Sequence, residues 1–243
     1  MLLRRKKHRT HGEDRLLALT LATTAGVLNA MAFGAFGFFP SHMTGNTSQL
    51  SAEAGSYDLH GLLFLAVLIL AFVTGATLAR LAVAFGLRRN VRTVFCLVLL
   101  FEGVLLLATS LVEIRWYSIR NNGEVLVTLA LLMGLHNATS TQLSGGRVRS
   151  THVTGTLTDA GMALGSWLRA SVSRREAADA PAHRALLGTH LVTIVSFLSG
   201  CVAGYFLFVR FGFSAMAGLA GLLILTALGG IARALHLTGW RLW

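Results

Sequence analysis

The sequence predicts an all-α polytopic membrane protein whose six transmembrane helices form two inverted three-helix repeats. Three observations carry this prediction: an apolar composition, six long apolar segments, and blocks of sequence that occur twice. Hydrophobic residues make up 54% of the 243 residues and charged residues only 13%, about half the charged share usual in globular proteins. This excess of apolar side chains predicts that lipid surrounds much of the chain.

Each apolar segment has the roughly 20 residues needed to cross a hydrocarbon core about 30 Å thick. The predicted spans are Leu16–Phe39, Leu62–Val83, Thr93–Val112, Val125–Leu143, Leu186–Val209 and Phe213–Ile231. The first is too long for the apolar core of a signal peptide, and five more follow it, so we expect it to remain as a helix.

These spans divide the chain into five parts. The parts are a basic N-terminal segment (1–15), a first three-helix repeat (16–112), an exterior connecting loop (113–124), a second three-helix repeat (125–235) and a C-terminal tail (236–243).

The basic residues are distributed unevenly between the two sides predicted for the membrane. If the N-terminus is cytoplasmic, all but three of the 21 Lys and Arg residues fall inside, the exceptions being Arg115, Arg120 and Arg210. Cytoplasmic loops of membrane proteins carry this excess of positive charge. The net charge of +11 is therefore assigned to membrane orientation, with both termini cytoplasmic, and we expect the lipid bilayer rather than a nucleic acid as partner.

Three blocks of sequence occur twice, in the same order. Gly-x-x-Asn-Ala at Gly26–Ala30 returns at Gly134–Ala138, and His-x-Thr-Gly at His42 returns at His152. Phe72–Ala79 resembles Phe197–Gly204, and both carry small residues four apart that permit close helix contact. Since each half holds three spans, the second copy enters the membrane from the opposite side, which is the inverted repeat of many transporters.

The strings S-H-M-T-G-N-T and T-H-V-T-G-T-L-T, each after a G-x-x-N-A segment, resemble the YoaK family of bacterial inner-membrane proteins. The resemblance extends over roughly Leu16 to Leu235. It implies a six-span protein of the bacterial plasma membrane, and it supplies neither a reaction nor a substrate.

The repeated His-x-Thr-Gly segments are the first candidate site. Thr44 and Thr154 are predicted to cap the beginning of a second helix, and the glycine that follows each permits close backbone approach. A helix N-terminus beside a histidine favours a small polar or anionic solute. The candidate solute-binding residues are His42, Thr44, Gly45 and Asn46 with His152, Thr154, Gly155 and Thr156. The alternative, a structural turn at the membrane interface, stays open.

Polar residues inside the first and fourth spans predict that these two spans occupy the interior of the bundle. Asn29 and Asn137 are interpreted either as lining a solute pathway or as hydrogen-bonding neighbouring helices.

Glu102 lies at the middle of the third span, where an ionised carboxylate is costly unless it is paired or faces a wet cavity. We interpret it as a proton-coupling residue. The alternative is a protonated side chain that donates to a carbonyl group.

Enzyme signatures are absent from the sequence, and Cys96 and Cys201 lack the spacing of redox or metal sites. We therefore expect no catalytic residue, cofactor or metal. The leading hypothesis is a secondary transporter or permease for a small solute, which predicts that both His-x-Thr-Gly segments face one cavity with Glu102 on its wall. The alternatives are a non-transporting scaffold and an intramembrane enzyme of unrecognised type, and self-association of the chain stays open.

Overall fold

A computed structural model describes residues 10–116, 122–173 and 176–237. Over these residues the regular secondary structure is helical. The long helices are α1 (His11–Phe36), α2 (Met43–Gly55), α3 (Leu59–Arg88), α4 (Val94–Trp116), α5 (Gly123–Ser144), α6 (Val153–Val172), α7 (Ala180–Phe211) and α8 (Phe213–Leu237). The predictions for the first nine residues, for Arg120 and for most of the C-terminal tail concern positions outside this part of the chain.

Five of the described helices are long and apolar enough to cross a membrane: α1, α3, α4, α7 and α8. The predicted fourth span lies within α5, which is not among the five because its second half is polar. The first predicted span extends three residues beyond the end of its helix, which begins earlier, at His11. Gly37 takes the left-handed conformation, with φ of 67°, and its N–H donates to the carbonyl oxygen of Phe33, so α1 ends at Phe36.

Helix α1 packs along α7, and the two run in the same direction. Near the beginning of both, Arg15 Nη2 donates to the carbonyl oxygen of Ala185 at 3.1 Å. Farther along, Gly26 lies directly against the carbonyl oxygen of Phe197, and Gly200 lies against that of Thr23. The absence of side chains at both glycines lets the two backbones touch.

Helix α3 packs along α5 in the same way. Gly134 lies against the carbonyl oxygen of Phe72, and Gly75 against that of Leu131. Gly26 and Gly134 hold the same position in one pair of matched blocks, and Gly75 and Gly200 in another. The packing role predicted for Gly75 and Gly200 is confirmed.

The seam between α3 and α5 extends over most of both helices. Gly123 faces the ring of Phe64 at one end, and Arg80 Nη1 donates to Gln142 Oε1 at 3.2 Å near the other. Helix α5 therefore reaches as far through the bundle as the apolar part of α3 that it accompanies.

Helix α4 pairs with α8 in the opposite direction, with Gly103 near Ile224 and Cys96 near Gly230. The main core lies where these two helices meet α1 and α5, around Leu28, Met133 and several similar side chains. Helices α1 and α5 carry more buried residues than any other described helix, as the sequence predicts. They therefore place their polar side chains inside the protein.

Candidate functional site

The chain after α1 turns back into the bundle. Ser41 Oγ donates to Asn29 Oδ1 at 2.8 Å, and the Ser41 N–H donates to the same oxygen at 3.2 Å. Asn29 lies seven residues before the end of α1 at Phe36, which is about 10 Å of helix. Helix α2 therefore begins beside the interior part of α1, not at its end.

The second half contains the same reversal. The Thr151 N–H donates to Asn137 Oδ1 at 3.4 Å, and Asn137 lies seven residues before the end of α5 at Ser144. This loop is held more firmly than the first one, since Arg147 Nε contacts Asp14 Oδ2 of α1 at 2.6 Å. Helix α6 therefore also begins beside the middle part of the helix that precedes it, α5.

The histidines, not the threonines, mark the beginning of these two helices. His42 and His152 occupy the N-cap positions, α2 begins at Met43, and α6 begins at Val153. The predicted capping role of Thr44 and Thr154 is wrong by two positions, because the first helical hydrogen bond of each helix is accepted by the histidine carbonyl oxygen. Both helices lack a side-chain cap.

The glycine of each motif accommodates the histidine three residues before it. A methyl group at Gly45 would overlap the imidazole ring of His42, and one at Gly155 would overlap the ring of His152. Each ring therefore folds over the first turn of its helix, and this explains the fixed spacing of His and Gly. The close approach expected from the glycine is made by the histidine of the same motif.

Asn46 and Thr156 directly follow the two His-x-Thr-Gly motifs. Both lie on the inner face of their helices and are buried. The Thr156 hydroxyl donates to the His152 carbonyl oxygen at 2.9 Å. Asn46 Nδ2 is buried without a hydrogen-bond partner among the described residues. Both side chains lie behind the first turn of their helices.

Both motifs open onto one cavity of about 780 Å³, called here the central cavity. Its polar lining consists of two matched sets, one from each half of the chain: Asn29, Ser41, His42 and Thr44, with Asn137, Thr151, His152 and Thr154. The apolar lining includes Phe39, Phe72, Ile194, Phe197 and Leu198. Gly45, Asn46, Gly155 and Thr156 are not part of the lining.

The electrostatics of the central cavity favour a negatively charged or electron-rich group. A helix N-terminus carries unsatisfied N–H groups and a partial positive charge, and both α2 and α6 present theirs here. Arg149 Nη1 lies 3.5 Å from His152 Nδ1. Among the residues that line the cavity there is no carboxylate. The volume lies within the range of small-molecule sites.

Glu102 is not on the wall of the central cavity, in contrast to the prediction. Its Oε1 lies 2.7 Å from His136 Nδ1, and both side chains are about 1% exposed. His136 Nε2 lies 2.9 Å from the carbonyl oxygen of Leu21 in α1. Because a carbonyl oxygen only accepts, Nε2 carries a proton, and one further proton lies between Nδ1 and Oε1. The pair is therefore neutral overall, as imidazole with carboxylic acid or as imidazolium with carboxylate.

His136 is not among the candidate site residues predicted from the sequence. The first copy of its block, G-V-L-N-A, has Leu28 where the second, G-L-H-N-A, has His136. A titratable residue that breaks an otherwise apolar repeat, inside a membrane span, indicates a functional or paired position. This departure between the two copies could have identified the partner of Glu102.

Searches against curated proteins and against solved structures found no match. The chain does match one protein family across residues 17–229, which is most of its length and includes both motifs. This match is consistent with the resemblance to the YoaK family. The chain belongs to the DUF1275 family, described as a protein family of unknown function.

Proposed function

We propose that the protein is a secondary transporter or permease of the bacterial plasma membrane. In this proposal a small anionic or strongly polar solute binds in the central cavity, between the N-termini of α2 and α6. The observation that carries the proposal is the convergence of both His-x-Thr-Gly motifs on a single cavity. Discontinuous helices that aim their N-termini at a site near the bilayer midplane are typical of secondary transporters.

The proposal includes six spans arranged as two inverted repeats, with both termini in the cytoplasm. The equivalent glycine contacts of the α1–α7 and α3–α5 seams support the repeat. Helix α5 counts as the sixth span because it accompanies α3 through the bundle. Its polar second half faces the cavity and the loop before α6, where polar groups are tolerated at membrane depth.

The lining of the central cavity narrows the class of solute. Two helix N-termini and two histidines provide hydrogen-bond donors for an anionic group or a hydrogen-bond acceptor of the solute. The aromatic and aliphatic residues of the lining can contact a small apolar part of the same solute. A small organic acid in its carboxylate form has both parts. The protein acts on such a solute by binding and conformational exchange, without covalent catalysis.

The test is thermal stabilisation of the purified protein in detergent, since a ligand that binds only the folded state raises its melting temperature. Acetate, benzoate and inorganic phosphate would be compared with uncharged mannitol. We expect at least one anion to stabilise the protein, and His42→Ala and His152→Ala each to weaken that effect. His60→Ala is the matched control, because His60 lies in the first turn of α3 and does not line the cavity.

Stabilisation that survives in both cavity variants would place the anion elsewhere and contradict the proposal. Absence of stabilisation by the whole panel would favour the non-transporting alternatives.

A further inference from the structure

We propose that the His136–Glu102 pair is a proton-exchange site that couples protonation to movement of α5. This inference rests on the proposed function, because a proton exchanged here would drive or regulate solute movement through the central cavity. The proton-coupling role predicted for Glu102 alone is assigned here to Glu102 and His136 together. The proposal also includes a route by which protons reach this pair.

The geometry of the pair fixes how a proton can be exchanged. With Nε2 bonded to the Leu21 carbonyl oxygen, the single proton between Nδ1 and Oε1 keeps the pair neutral. Removing that proton leaves two lone pairs and a net negative charge facing each other, which is costly in a buried site. Exchange of the proton therefore requires the imidazole and the carboxyl group to move apart.

Moving the pair apart breaks a side-chain contact between α5 and α4, because His136 lies on α5 and Glu102 on α4, and the proposal assigns movement of α5 to the loss of this contact. The residue next to His136 is Asn137, which lines the central cavity and accepts the hydrogen bond from Thr151 that holds the second motif. In the proposal, separation of His136 from Glu102 therefore affects Asn137, and through Asn137 the loop that carries His152.

A second cavity, of about 580 Å³, leads toward the pair from the other side. It is called here the threonine cavity, because its polar lining consists of the hydroxyl-bearing residues Thr20, Thr23, Thr24 and Thr226, with Arg233. Leu21, whose carbonyl oxygen binds His136, also lines it, as does Leu99, one turn before Glu102. The oxygen atoms of these hydroxyl groups can accept hydrogen bonds from water, and the proposal therefore assigns this cavity as the path for protons from the end of the bundle where α8 finishes.

In residues 10–116, 122–173 and 176–237, no other ionisable side chain forms a hydrogen bond or an ion pair with Glu102 or His136. Ionisable side chains on the surrounding helices include Arg15 of α1, Arg80 of α3, Cys96 of α4 and Arg233 of α8. Among the described residues, Arg15 donates to the Ala185 carbonyl oxygen and Arg80 to Gln142. Within the same part of the chain, His136 is hydrogen-bonded only to Glu102 and to the Leu21 carbonyl oxygen, to which its Nε2 donates. A proton exchanged at this position therefore belongs to the pair itself.

The test is infrared spectroscopy of the full chain in phosphatidylethanolamine–phosphatidylglycerol vesicles, with no solute added. Carboxyl and imidazole bands of the pair are assigned by their loss or shift in Glu102→Gln and His136→Gln. If one variant fails to insert, the other still assigns the bands. Glu113→Gln is the matched control, since Glu113 is also buried on α4 and we expect this variant to leave the bands unchanged.

We expect the assigned bands to shift after the folded protein is transferred into heavy water, because the proton shared by Nδ1 and Oε1 exchanges with solvent. Thr226→Val should slow the deuterium shift severalfold, because it removes a hydroxyl group from the threonine cavity. Thr77→Val should leave the rate of the deuterium shift unchanged. The Thr77 hydroxyl, like that of Thr226, donates to a carbonyl oxygen of its own helix, in this case that of Val73 at 2.8 Å.

Bands that do not exchange in the folded protein would make the pair a static structural contact and overturn the proposal. Exchange at the parental rate in Thr226→Val would contradict the assigned route. Because the measurement needs no solute, its result is separable from the solute-binding test. If the protein binds none of the anions, the proposed transport function is contradicted, but the proposed proton exchange at this pair is not affected.

Discussion

The carboxamide oxygen of Asn29 accepts two hydrogen bonds from Ser41, one from the hydroxyl at 2.8 Å and one from the backbone N–H at 3.2 Å. This contact joins the Gly-x-x-Asn-Ala block to the His-x-Thr-Gly motif, which the sequence presents as two separate signals. It holds the turn that brings the N-terminus of α2 into the bundle. Asn137 and Thr151 make the corresponding contact in the second half.

Replacing Asn29 with Ala should destabilise the protein by about 1–3 kcal/mol, because it leaves two donors of a half-buried turn without their acceptor. Ser41→Ala removes only the hydroxyl contact and should cost about 1 kcal/mol. Asn137→Ala should cost less than Asn29→Ala, since Asn137 accepts one longer bond. Melting temperatures in detergent test the order, and a larger effect at Asn137 would contradict it.

Gly155→Ala should displace the ring of His152 from the first turn of α6 and weaken anion binding, because the added methyl group overlaps that ring. The double variant Gly155→Ala, His152→Ala should regain stability, since the overlap is gone. Gly161→Ala is the control: a Cβ there meets no atom within 4 Å, so it should stabilise α6 by about 0.5–1 kcal/mol. If Gly155→Ala and Gly161→Ala behave alike in melting experiments, the packing of ring on glycine is wrong.

Gly26→Ala and Gly134→Ala should each destabilise the fold strongly, by about 1–3 kcal/mol or more. In both variants the methyl group meets a backbone carbonyl oxygen of the partner helix, which cannot rotate away as a side chain can. Gly221→Ala in α8 has open space around it and serves as control. Similar losses of folded yield at Gly26 and Gly134 would support the repeat, whereas a loss at only one would count against equivalent seams.

Glu176 lies beyond the end of α6, and its Oε2 accepts a hydrogen bond from Arg169 Nε at 2.7 Å. This hydrogen bond is the main reason that the pKa of Glu176 lies below its ordinary value. Because the folded-state pKa is lowered, the stabilisation is present at neutral pH and is lost as pH falls through that lowered value. Glu176→Gln should therefore lower the melting temperature slightly near neutral pH and not at all in acid. The Arg169 side chain is 75% exposed and that of Glu176 36%, so added salt should reduce the difference; a difference that grows in acid would contradict this assignment.

The sequence alone identifies the helices well, because hydrophobic length and the repeated blocks are local signals. Gly75 and Gly200 are recognised as packing positions for the same reason. The end of α1 at Gly37 is missed because Phe38 and Phe39 continue the apolar run, while the left-handed backbone of one glycine decides the boundary.

The sequence places candidate residues in both motifs but does not specify their contacts. His42 and His152 line one cavity, and their position at the helix N-termini depends on rings folded over Gly45 and Gly155. The pairing of Glu102 with His136 joins residues 34 positions apart. Such a contact depends on the register between α4 and α5, and neither hydropathy nor repeat spacing specifies that register.

In the proposed function both motifs form one solute site, and this can be examined by the protection of introduced cysteines from alkylation. Thr44→Cys and Thr154→Cys would be made singly, with Ser48→Cys as an exposed control on α2 outside the cavity. Acetate, benzoate and phosphate would be titrated against a small maleimide. The account predicts that the same anion protects both cavity positions with the same concentration dependence and leaves Ser48→Cys unprotected. Protection of only one cavity position, or of both at clearly different anion concentrations, would contradict a shared site.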